Sequence, residues 1–289
     1  MCLLSVCLCL LSVCRVYISG FSKRDLNVVC PYTQRIEMTQ RPFASLYAFL
    51  QARVSSEGSL GLHLTAGTLM LTLWAFVFAS IAEDVMTINK ILTLDLRVSQ
   101  WLHSHATPSF TQFMLLVTHL HSTVGILALS SLLAIYWLRI KVWTWLITLV
   151  LTVPLGMLLN VLLKHIFQRT RPTFDVALLT LDSYSFPSGH AAGATLFYGV
   201  LAAWLICTTS SWRWRVFIAT LSCFLVTLVG LSRIYLGVHY LSDVLAAVAA
   251  SSGWLTLSLT AVAIWRRRRR LQQMKEEAWQ MQLKKLKRS

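Results

Sequence analysis

From Gly61 onward the chain is cut into long apolar runs by short polar or charged breaks. A helix needs roughly 20 mostly apolar residues to cross a bilayer core, and about six runs of that length fit here. They extend approximately over Gly61–Ala82, Met114–Leu138, Val142–Leu163, Gly189–Cys207, Val216–Ser232 and Ser242–Trp265. Charged residues make up only 13% of the chain, against about 25% in soluble domains. That deficit points to lipid as the solvent. The expected fold is all-α: a polytopic membrane helical bundle with about six transmembrane helices.

Three regions are expected: an N-terminal cytoplasmic segment 1–60, the six-helix membrane domain 61–265 and a basic cytoplasmic tail 266–289. Met1 to Cys14 is apolar but lacks a basic leader and a small-residue cleavage site, so it makes a poor signal peptide. It is expected to be an interfacial or disordered segment, or an extension upstream of a start at Met38. Residues 84–110 are amphipathic and include Asp95, Arg97, Trp101, His103 and His105. They are expected at the membrane interface or in a loop.

The net charge of +15 is concentrated at one end: Arg266 to Ser289 holds ten Lys or Arg against two Glu. A basic block directly after an apolar helix favours cytoplasmic anchoring and anionic lipid headgroups as partners. Nucleic acid is not expected. Leu271, Met274, Ala278 and Met281 recur at helical spacing, so the tail is expected to form an amphipathic helix on the inner leaflet, with a solvated end as the alternative. Arg139 and Lys141, Arg213 and Arg215, and Arg266–Arg270 fall on one side of a six-span bundle. The positive-inside rule makes that side cytoplasmic. The breaks at 84–110, 164–187 and 233–241 then face outward. Five of the seven cysteines crowd the first 30 residues, and no Cys or His spacing resembles a zinc site. No metal or cofactor is expected.

Three polar clusters fall at the outward helix ends. They are Lys164-x6-Arg171-Pro172, Ser185-Phe186-Pro187-Ser188-Gly189-His190 and Ser232-Arg233-x5-His239-x3-Asp243. Cations near membrane depth are costly and normally face partners or water, so several at one level suggest an anionic ligand. Phosphoryl transfer asks for positioning and positive charge around the equatorial oxygens. Lys164, Arg171 and Arg233 supply that charge, two of them with a planar fork. Pro172 is expected to turn Arg171 out of the helix and into the pocket. Ser188 and Gly189 open a helix whose free N–H groups make an anion seat. His239 and Asp243, four apart, share one face of a helix start, so Asp243 can orient His239 as a nucleophile. His190 beside the seat can protonate the leaving oxygen and later activate water.

These motifs resemble the type 2 phosphatidic acid phosphatase superfamily, shared with vanadium haloperoxidases. All three of its signatures are present, in order, and with the flanking helices the resemblance covers about residues 61–265. It implies a helical-bundle phosphatase working through a phosphohistidine, with His239, His190 and Asp243 catalytic. Lys164, Arg171, Ser188, Gly189 and Arg233 would hold phosphate. Leu241 departs from the Pro that bacterial members often carry after His-Tyr. The apolar helices favour the bacterial integral-membrane branch, which acts on undecaprenyl pyrophosphate, phosphatidate or phosphatidylglycerophosphate. A phosphotransferase using the same phosphohistidine, or a catalytically idle scaffold, are the competing expectations.

Overall fold

A computed structural model describes residues 59–87, 90–172 and 183–286. The expectations for residues 1–58 therefore lie outside the described residues. All the secondary-structure elements among the described residues are helices. In chain order the helices are α1 Ser59–Met86, α2 Lys90–Ser104, α3 Pro108–Leu120, α4 Thr123–Arg139, α5 Trp143–Phe167, α6 Gly189–Thr208, α7 Trp212–Tyr235 and α8 Leu241–Leu286. Five of them are long and apolar enough to cross a membrane, and α3 with α4 makes a sixth if that pair, bent by 55°, counts as one span.

α6 occupies the centre, packed against α4, α5, α7 and α8. In lipid there is little hydrophobic drive between helices, so close backbone approach through small residues does the work. α6 supplies them, with Ala191, Ala192, Gly193, Ala194, Gly199, Ala202 and Ala203 all buried. Leu255 of α8 fills the space where a Cβ on Gly199 would stand. A Cβ on Gly156 of α5 would come within 2.7 Å of Leu196 and 2.8 Å of Trp254. α1 packs on α8 from outside and buries little beyond Trp74 and Ala82.

Three expectations change. The run Met114–Leu138 is not one helix: α3 ends at Leu120, and Ser122 caps α4 by accepting the Gly125 N–H at 3.1 Å. A Cβ at Gly125 would run into the Leu120 carbonyl, so glycine permits the bend. Of the stretch expected at the membrane interface or in a loop, residues 90–104 form a helix, which removes the loop alternative for them. The tail is helical as expected but is not an element of its own: α8 runs on to Leu286 as one 46-residue element, about 69 Å long at 1.5 Å per residue. No Gly or Pro follows Gly253 to stop it.

Candidate active site

The end of α7 delivers two of the predicted residues. The Gly237 N–H bonds the Ile234 carbonyl at 3.0 Å, and the Val238 N–H bonds the Arg233 carbonyl at 3.2 Å. These are the paired bonds of a Schellman motif. The motif needs a left-handed residue, and Gly237 provides it at φ 73° with no Cβ to clash. The chain thereby leaves the last turn of α7 at Arg233 and re-enters a helix at Leu241, with His239 on the intervening turn.

α5 ends differently from expectation. Gln168 takes a left-handed conformation at φ 46°, and its N–H closes on the Lys164 carbonyl at 3.0 Å. That cap ends the helix already before Arg171 and Pro172, so Lys164 lies in the last helical turn while Arg169 and Arg171 follow the cap. The approach to α6 is anchored by Phe186, fully buried, with its ring 5.0 Å from Phe167 and 6.0 Å from Phe78. This apolar anchor sets Ser185 on one side and Ser188 on the other. The Ser188 N–H donates to the Asp243 carbonyl at 3.1 Å, joining the starts of α6 and α8.

These ends bring the predicted residues together. His239 is buried, and its Nδ1 lies 3.3 Å from Asp243 Oδ2. Its Nε2 lies 3.3 Å from Arg171 Nη1. A carboxylate only accepts and a guanidinium only donates. Both contacts therefore select the same tautomer: Nδ1–H donates to Asp243, and Nε2 carries the lone pair. Burial pushes the His239 pKa down to about 4, opposed by the hydrogen bond and charge of Asp243. The imidazole is thus neutral at pH 7, with its lone-pair nitrogen toward Arg171.

Arg171 is held by the Ser183 carbonyl at 2.7 Å, the Val238 carbonyl at 2.6 Å and the Ser183 hydroxyl at 2.9 Å. Burial lowers its pKa from the ordinary arginine value, partly countered by Asp243. Lys164 Nζ donates to the Tyr184 carbonyl. Arg233 is enclosed and donates through Nη1 to Thr118 Oγ1, but its Nε and Nη2 find no acceptor among the described residues. The buried Ser188 hydroxyl is likewise without a partner. His190 stands in the first turn of α6, with Arg233, His239, His121 and Arg171 as its charged or titratable neighbours. A Cβ on Gly189 would project toward Asn160 Oδ1 and Lys164 Cε, at 3.6 and 4.0 Å. Glycine keeps that side of the cluster open.

A family profile of the PAP2 superfamily matches residues 144–269, which include all three motifs. Phosphatidylglycerophosphatase B of Bacillus subtilis (strain 168) is 33% identical over 175 residues, covering 59% of this chain and 84% of the relative. The chain belongs to the PAP2 superfamily. An undecaprenyl-diphosphatase of Sulfolobus acidocaldarius is 33% identical over 114 residues, 38% of this chain and 48% of that one. Among solved structures, a transmembrane PAP2-type phosphatidylglycerolphosphate phosphatase from Bacillus subtilis superposes with a TM-score of 0.60 at 28% identity. That likeness covers 65% of this chain and 93% of the other.

The site of this PAP2 chain also holds residues that motif reasoning did not single out. Asp243 accepts from Arg169 Nη1 at 2.6 Å, from the Tyr240 N–H at 2.9 Å and from the Ser185 hydroxyl. Arg169 reaches Asp95 on α2 at 3.0 Å through Nη2, and its guanidinium lies 4.3 Å over the Tyr240 ring. Asp95, fully buried, also accepts the N–H of Ser242 at 2.9 Å and its hydroxyl. Arg169 and Ser185 sat inside the quoted motifs as unassigned positions. Asp95 carried one signal: with Ser99 it marks a polar stripe on a helix face that is otherwise apolar.

Proposed function

We propose that this membrane phosphatase of the PAP2 type hydrolyses a lipid phosphate monoester or pyrophosphate through a phosphohistidine on His239. One observation carries the reading: His239 is fixed with Nδ1–H on Asp243 and its Nε2 lone pair toward Arg171. The buried donors of Arg233 and Ser188, without acceptors among the described residues, lie in the same cluster. Orphaned buried donors cost about 1–3 kcal/mol each and persist where a ligand completes them.

In the first step Nε2 attacks phosphorus, the N–P bond forms, and the bond to the lipid oxygen breaks. His190 takes up a proton together with the phosphate dianion and gives it to that oxygen as general acid. Asp243 stabilises the positive charge that develops on the ring. In the second step His190 takes a proton from water as the water oxygen attacks. The N–P bond breaks, and inorganic phosphate leaves. Lys164, Arg171 and Arg233, with the N–H groups at the start of α6, offset charge on the equatorial oxygens. Three cations and a helix terminus supply what divalent ions supply in other phosphoryl-transfer sites, which supports a metal-independent reaction.

The substrate arrives from the bilayer, as the apolar spans and the relatives' lipid substrates suggest. The site lies at the ends of α5 and α7 and the starts of α6 and α8, while Arg139, Lys141, Arg213 and Arg215 cluster at the opposite ends. Positive-inside logic turns the site to the periplasmic or extracellular side and the basic tail to the cytoplasm, near anionic headgroups.

The test is a phosphate-release panel in detergent with undecaprenyl pyrophosphate, phosphatidate, diacylglycerol pyrophosphate and phosphatidylglycerophosphate, with and without EDTA. Release from at least one lipid, unaffected by EDTA and blocked by vanadate, is expected. Loss on chelation that a divalent metal restores would overturn the metal-free step. Release only with an added acceptor would make the enzyme a transferase. No release from any lipid would favour the idle scaffold.

A further inference from the structure

We infer that Asp95 is a positioning residue that sets the net charge around the His239–Asp243 pair through Arg169. The inference rests on His239 being the nucleophile, and it concerns a residue outside all three motifs. Arg169 stands between two buried carboxylates, with Nη1 on Asp243 at 2.6 Å and Nη2 on Asp95 at 3.0 Å. Its Nη1 also reaches Ser242 Oγ at 2.8 Å, and Ser242 gives both its N–H and its hydroxyl to Asp95. Asp95 therefore holds Arg169 and the first turn of α8, the turn that carries Asp243.

The charges explain why a second carboxylate is present. Asp243 has to stabilise positive charge on His239 as the N–P bond forms. An arginine bound to Asp243 alone would cancel that negative charge at contact distance, where interior electrostatics are strong. Asp95 shares Arg169 from its other side, so the cluster of two carboxylates and one guanidinium keeps one net negative charge facing the imidazole. Arg169 in turn fixes the Asp243 plane, alongside Ser185 and the Tyr240 N–H. Asp95 touches neither His239 nor the cations that hold phosphate. Its effect belongs in the chemical step rather than in binding.

The test is a charge-rescue cycle on full-length protein in detergent: Asp95→Asn, Arg169→Gln, the double variant, and His239→Ala as reference. Asp95→Asn leaves the cluster neutral and is expected to lower kcat roughly 10–100-fold, the usual range for an outer-shell change, with KM within about 2-fold. Arg169→Gln leaves two facing carboxylates uncompensated and is also expected to lose kcat. The double variant restores one net negative charge and is expected to exceed both single variants. A structural tie alone predicts the reverse, with the double variant no better than the worse single one. Either that result or an unimpaired Asp95→Asn overturns the inference. Should Asp95→Asn fail to fold, the double variant against Arg169→Gln decides the same question. Full activity in His239→Ala would instead overturn the reading of the site.

Discussion

Asp243 and Arg233 are both buried, both charged and both within a turn of a helix end, yet the protein surrounds them differently. Asp243 accepts from Arg169, Ser185, the Tyr240 N–H and His239. Arg233 has one partner, Thr118, and two guanidinium nitrogens without any among the described residues. A carboxylate with four donors is held in one place and stays ionised. A buried guanidinium with open donors is costly to the fold on its own and suited to an external anion. One half of the site is built for position, the other for a ligand, and His239 lies where they meet.

The largest expected effect comes from removing that meeting point. His239→Ala is expected to abolish turnover and the acid-labile phosphoenzyme while the protein still folds, as followed by phosphate release and phosphohistidine labelling. Activity near wild type would remove the link between the halves. Next, Arg233→Met is expected to lower kcat/KM about 10²–10³-fold, the scale of losing an oxyanion donor. It should leave thermal unfolding in detergent unchanged or raised, because an unsatisfied buried cation is gone. Vanadate should raise the Tm of the wild type and not of this variant. Ser185→Ala on the other half should behave oppositely, losing about 1.5–3 kcal/mol of stability with one of the four hydrogen bonds to the charged Asp243, and a smaller share of kcat than Arg233→Met. If both variants destabilise equally, the contrast between the halves fails.

The motif residues were legible because charge is rare in this sequence: eight polar or glycine positions clustered at helix ends stand out against apolar spans. The structure brings those eight together. The network behind them was not legible for a physical reason. Asp95 meets Ser242 across 147 residues of chain, and an amphipathic stretch at 90–104 reads equally well as an interfacial loop until its partner is known. The bend between α3 and α4 hid inside one apolar run, although His121 and Ser122 mark it. At the end of α5, Pro172 drew attention from Gln168, because a non-glycine residue at positive φ leaves no compositional trace.

A smaller effect concerns protonation of His239. Burial outweighs Asp243 and holds its pKa at about 4, below the ordinary 6.5. The sign follows: the ring stays neutral as pH falls from 7, and it gains a proton only as pH drops through about 4. Nitrogen-15 NMR of imidazole-labelled protein in micelles, assigned with His239→Gln, should show an Nδ1–H tautomer at pH 6 and a midpoint near about 4. Asp243→Asn should lower that midpoint further, because the carboxylate favours the charged ring, and Arg171→Met should raise it. A midpoint at the ordinary histidine value would mean that position is not being held by a dry, satisfied pocket.

The smallest expected effect lies at the far end of α8. Leu271 stands on the same helix as Asp243 but about 40 Å along its axis at 1.5 Å per residue. Beyond it Met274, Trp279 and Met281 are exposed. Charges separated by several Debye lengths do not act on each other in physiological salt, where that length is about 8 Å. Deleting Leu271 onward should therefore leave kcat and KM unchanged in detergent. In vesicles it should weaken only the salt-dependent association of the tail with anionic lipid, measured by cosedimentation of a tail peptide. A fall in kcat in detergent would mean that the satisfied half of the site draws its rigidity from the length of α8, not from Asp95, Arg169 and Ser185 around its first turn.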